Sequence, residues 1–162
     1  METHVTDAAV GELTLTLDRD GGTVRVEGDA VPTVVVRRSA EAVTQRHVPI
    51  GTRGADQLTM TLDGAAVRLR PGPGRVTRHS YRAEVDHKEI LYTFIPTSEE
   101  SSSLFRGEDH LGNFTTITDG EVRAEWVAAP EPEEAAIGYA LAVSFGSGAE
   151  HPVLALVSMF SF

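Results

Sequence analysis

From Ala135 to Phe145 the chain reads Ala-Ala-Ile-Gly-Tyr-Ala-Leu-Ala-Val-Ser-Phe, without a charge and without a polar stripe. A helix on a protein surface keeps one face polar, so a helix apolar on every side has to be enclosed by the rest of the domain. Its beginning is well marked. Pro132 suits the first helical position, and Glu131, Glu133 and Glu134 sit where the helix dipole favours negative charge. Gly146 and Gly148 are natural stops. Whatever precedes this segment must be able to wrap it.

What precedes it reads as strands. Glu12–Leu17 alternates polar and apolar residues, the period of a half-buried strand, and Thr23–Glu27 returns after the turn Asp18–Gly22. Thr33–Arg37 is β-branched, whereas Ala40–His47 fits a helical turn or a strand equally well. Gln57–Leu62 and Ala66–Leu69 flank Asp63-Gly64-Ala65, a tight-hairpin signal. Beyond the break Pro71–Gly74, Arg75–Val85 reads as one long strand, with Ile90–Ile95 as its partner. Leu104–Arg106, Asn113–Thr118 and Glu121–Val127 complete the set, and Val153–Phe162 is either a final strand or a second short helix. Short strands with turns every ~8–12 residues predict a sandwich or a barrel. The expected fold is mainly β: one domain over residues 1–162, a closed antiparallel barrel of about twelve strands around a buried C-terminal helix. A β-sandwich with a C-terminal helix is the alternative.

Strands first and an apolar helix last resembles the tubby-like barrel shared by tubby C-terminal domains, phospholipid scramblases and LURP-one-related proteins. The similar pieces are Ile90–Pro96, the Ser-rich loop after it, Leu104–Gly107, Leu111–Phe114, Ala124–Trp126 and the helix Ala135–Phe145. They span residues 90 to 146 and include no catalytic signature; residues 1–89 match in strand count alone. The resemblance implies a binder of a ligand or a membrane surface rather than an enzyme. Tubby domains hold a phosphoinositide head group with Lys and Arg on the barrel wall, but no motif aligns those positions with residues here. The cysteine-rich segment and terminal membrane helix of the scramblases are missing.

The charge is unevenly placed. The formal net charge is −10, yet residues 37–82 carry nine Arg against Glu41, Asp56 and Asp63. An acidic whole argues against nucleic acid, and apart from Tyr81 no aromatic interleaves the basic run. Alternation puts Arg68 and Arg70 on one face of their strand, and Arg78 and Arg82 on one face of the next. Paired strands would gather the four on one outer wall. Guanidinium forks match phosphate geometry, so the expected ligand is an anionic small molecule or a phosphoinositide head group. The plainer alternative is that these Arg face water and pair weakly with acidic strands.

Other chemistry is thinly supported. Cysteine is absent, which excludes disulfides, thiolate metal sites and cysteine nucleophiles. Asp86, His87, Asp109 and His110 form a metal set only if two hairpin tips meet, so neither a metal nor a cofactor is expected. Ser98, Ser101, Ser102 and Ser103 lie in no nucleophile elbow, and nothing places Glu99 and Glu100 near Glu125. An enzyme with an unrecognised site stays the third reading. Tyr139 and Ser144 in the apolar helix need partners for their hydroxyls, or else line a small cavity. The apolar stretches are too short for a membrane span, which needs ~20 residues. The start carries no secretory signal, so a cytoplasmic protein is expected. The second functional reading is an interaction or structural module that docks a protein partner, or a second copy, through Val153–Phe162.

Overall fold

The computed structural model describes residues 1–75, 77–118 and 121–147. Eleven strands run in chain order: β1 Glu2–Asp7, β2 Gly11–Asp18, β3 Thr23–Gly28, β4 Val31–Arg38, β5 Leu58–Leu62 and β6 Ala65–Pro71, then β7 Ala83–His87, β8 Ile90–Pro96, β9 Ser101–Arg106, β10 Asp109–Thr118 and β11 Glu121–Trp126. One helix follows, α1, over Pro132–Phe145. Each strand pairs antiparallel with the next, giving a single up-and-down sheet that curls into a nearly closed barrel. Alternation decides which side chains point inward. Leu13, Leu15 and Leu17 on β2, Val24 and Val26 on β3, and Tyr92 and Phe94 on β8 are all buried, while their sequence neighbours face out.

Every residue of α1 from Glu134 to Phe145 is buried. It packs on β2, β3 and β4 on one side and on β10 and β11 on the other. Phe114 on β10 is the hub of the aromatic core: its ring meets Tyr139, Trp126 and Phe94 edge to face at centroid distances of 5.3, 5.4 and 5.5 Å.

Ten successive antiparallel pairings leave β1 and β11 running in the same direction, as an odd strand count requires. No backbone ladder joins them among the described residues. Side chains close the gap instead. Buried Asp7, at the end of β1, accepts hydrogen bonds from the Trp126 indole Nε1 at 2.9 and 3.1 Å and from the Tyr139 hydroxyl at 2.5 Å. It also accepts the backbone N–H groups of Ala9 and Val10, at 2.8 and 3.1 Å. One carboxylate therefore ties β1 to β11, to α1 and to its own turn.

Several expectations change. The described strands number eleven, and Val153–Phe162 lies outside the described residues. Arg75–Val85 is not one strand: a 3-10 turn occupies Arg78–Tyr81, and β7 begins at Ala83. The reason is local bonding. Ser80 Oγ accepts the Arg75 N–H, and its one O–H lies within donating reach of the Thr77 and Arg75 carbonyls, which curls the chain where a strand would extend it. Ala40–His47 joins neither a helix nor a strand. The Asp63-Gly64 hairpin forms as read, with φ of 48° and 83°.

Lys88 and Glu89 take the same left-handed conformation, φ 51° and 64°, without a glycine between them. Only glycine and asparagine visit that region cheaply. Glu89→Gly is therefore expected to stabilise the fold by about 1 kcal/mol. A urea midpoint that stays or falls would contradict this.

Candidate functional site

The side chains of α1 are buried against the inward-facing residues of the strands, and the exposed charged groups stand at the ends and on the outer wall. Two parts of the rim differ in charge. At the end where α1 starts stand Asp29, Asp63, Glu108, Glu131 and Glu133. At the other end, the connection from Pro71 to Arg82 reads Pro-Gly-Pro-Gly-Arg-Val-Thr-Arg-His-Ser-Tyr-Arg, with three Arg, one His and no acid. The α1 dipole agrees with both, its positive end facing the acids and its negative end the bases.

At the acidic end the polar groups satisfy one another. Glu134, 1% exposed, accepts the Tyr92 hydroxyl at 3.2 Å, Arg106 Nη1 at 3.0 Å and the Glu131 N–H at 2.9 Å. Burial, and then Glu134, push the Tyr92 phenol well above its usual range, so it remains a donor. Burial together with the bond to Asp7 does the same for Tyr139. Glu133 pairs with His87 at 3.1 Å and with Lys88 at 3.4 Å, and the His87 bond is the main cause holding its carboxyl below the ordinary range. The other members of the Asp86, His87, Asp109 and His110 set are also drawn elsewhere. Asp86 pairs with Arg70, Asp109 with Arg106, and His110 bonds Asn113 and stacks on Phe105. The Ser-rich loop folds on itself, with Ser98 Oγ accepting the N–H groups of Glu100 and Ser101. Ser103 donates to Asn113 Oδ1 rather than to a base.

The four arginines divide. On the outer wall Arg68 lies opposite Asp86 and Arg70 opposite Glu84 in the β6–β7 register. Arg70 Nη2 reaches Asp86 at 2.7 Å and Glu84 at 3.8 Å, so much of its charge is answered on the neighbouring strand. Arg82 is answered in part, by Glu84 at 3.2 Å. Arg78, in the 3-10 turn, belongs to the end connection and not to the wall. Arg68, Arg75 and Arg78 are exposed and form no ion pair among the described residues. The structure thus keeps Arg78 and Arg82 together, adds Arg75 and His79, and sets Arg68 and Arg70 along the adjoining wall.

Sequence reasoning missed Arg53. It is 8% exposed and sits beneath the Pro71–Arg82 connection. Its Nε donates to Gly72 O at 3.0 Å, and its Nη2 to Tyr81 O at 2.6 Å and Arg82 O at 3.1 Å. The guanidinium lies 5.4 Å from the Tyr81 ring centroid and 5.0 Å from that of Phe145, the last residue of α1. Burial lowers its pKa to about 10, with Tyr81 opposing and Arg82 adding to the shift. The connection closes tightly over it. A Cβ on Gly72 would stand 2.4 Å from Ser80 O, and one on Gly74 2.6 Å from Arg53 Cδ, so this Pro-Gly-Pro-Gly run has to be glycine at both places. The available signal was that repeated glycine, which marks a close backbone approach but not what approaches.

Compared with known proteins, the chain matches no family model, no curated protein and no solved structure.

Proposed function

We propose that the protein is a non-enzymatic binding module for an anionic ligand, a phosphate-bearing head group or small molecule, taken up at the Pro71–Arg82 end of the barrel. One observation carries this reading: Arg75, Arg78 and His79 stand exposed in a connection that contains no acid. Charges of one sign at the rim of a low-dielectric body attract a counter-charge even where the whole molecule is acidic. Arg82 and the wall residues Arg68 and Arg70 extend the site, Arg70 with its charge already shared. The proposal includes kinship with the tubby-like barrels, completion of the barrel by a twelfth strand, and a cytoplasmic location. No described helix is long and apolar enough to cross a membrane, so contact with lipid would be through the head groups.

The test is co-sedimentation with neutral vesicles and with vesicles carrying phosphoinositide, at low and moderate salt. Binding is expected to need the anionic lipid and to weaken with salt. Replacing Arg75 and Arg78 together by Ala is expected to reduce it about tenfold or more, on the scale of two lost charge-assisted contacts. Absence of binding at low salt removes the lipid form of the proposal. The second reading, a protein partner or second copy at Val153–Phe162, rests on residues outside those described; a concentration-dependent mass in light scattering would favour it.

A further inference from the structure

Arg53 is a buried cation with no counter-charge among the described residues. No Asp or Glu lies within ion-pair distance of it among the described residues, and backbone carbonyls answer only its Nε and Nη2. Its Nη1 makes no hydrogen bond among those residues. A buried charge is costly unless it is paired as well as hydrogen-bonded. Carbonyl dipoles and two aromatic rings share the cation, but they leave its net charge in place. Arg82 lies close by, with its own carbonyl on Arg53 Nη2 and its Nη1 donating to His79 O at 3.2 Å.

We infer that the unused edge of Arg53 is the floor of an oxyanion site, with Arg82 as its wall and Arg75 and Arg78 as its rim. This rests on the reading above and names the group that anchors the ligand. The recognised group is a phosphate or sulfate oxygen, taken by Arg53 Nη1, since Nε and Nη2 already spend their N–H groups on carbonyls. A guanidinium already clamped by three carbonyls offers its remaining N–H groups in a fixed direction, so little side-chain freedom is lost when the anion arrives. A solvated surface Arg has no such advantage. The rings of Tyr81 and Phe145 flank the guanidinium, and a Lys ammonium, without a planar fork for the carbonyls to clamp, would not be aimed in the same way.

The experiment is a titration of the full chain with inorganic phosphate, and separately with a soluble inositol phosphate, following the ring proton resonances of Tyr81 and Phe145. Saturable shifts are expected in both arms. Arg53→Lys keeps the charge but loses the carbonyl clamp that aims Nη1, and is expected to weaken binding about tenfold or more. Arg78→Ala is expected to weaken the inositol phosphate arm more than the phosphate arm, since a rim contact needs the larger ligand. If Arg53→Lys unfolds the chain, the ring shifts of the parent protein still decide the matter. Saturable binding that moves neither ring, or that Arg53→Lys leaves unchanged, overturns the anchoring role while leaving the rim proposal standing. No binding of either anion to any of these proteins overturns it as well, and the vesicle result then stands alone for the rim.

Discussion

Asp7→Ala is expected to lower the unfolding free energy by about 3–4 kcal/mol, as several buried donors lose their acceptor at 1–3 kcal/mol each. The donors are the Trp126 indole, the Tyr139 hydroxyl and the N–H groups of Ala9 and Val10. Domains of this kind are held by roughly 5–15 kcal/mol in all, so one residue would remove a large share. The loss is also structural, because β1 and β11 share no ladder and the barrel seam would have lost this clasp. Asp7→Asn keeps one acceptor oxygen and the shape, and is expected to cost about half as much. Trp126 is the only tryptophan and bonds Asp7 directly, so its fluorescence reports the clasp in a urea titration. An unchanged midpoint for Asp7→Ala would mean that water replaces the carboxylate and that the seam needs no clasp.

Gly138→Leu is expected to be about as damaging, at about 3 kcal/mol or more, for the opposite reason: too much volume. A Cβ built there stands 2.4 Å from Phe114 Cζ and 3.1 Å from Leu104 Cδ2. Phe114 cannot move aside, since it is packed edge to face against Tyr139, Trp126 and Phe94. Gly138→Ala separates two effects. Alanine gains about 1 kcal/mol of helix propensity over glycine, so a net loss of about 1–2 kcal/mol for Ala would show packing outweighing propensity. A stabilised Ala variant, read from the same fluorescence transition, would mean that the wall gives way and that the close approach of α1 to β10 is not tight.

Much of the frame was legible because short-range rules govern it. Alternation in Leu13, Leu15 and Leu17 assigned an inner face to β2 without any partner being known. Asp63-Gly64 fixed a hairpin through its backbone conformation, and the all-apolar run after Pro132 required an enclosure. The Arg75–Val85 expectation failed at Ser80, whose hydroxyl gives the backbone an alternative to extension that alternation does not register. Arg78 moved from the wall to the end connection as a result, and half of the candidate site moved with it.

Sequence alone determined which segments alternate, where the apolar helix begins and which stretch is rich in Arg, because each depends on residues near one another in the chain. Tertiary structure decided what those features face. Asp7 and Tyr139 are 132 positions apart and meet only when the sheet curls. Glu84 and Asp86 answer Arg70 because the β6–β7 register sets them there, and a slip of one residue would turn them to the other face. Arg53 reads in sequence as one more polar loop residue. It becomes a buried cation only because the barrel end folds down over it and the last ring of α1 stacks beneath.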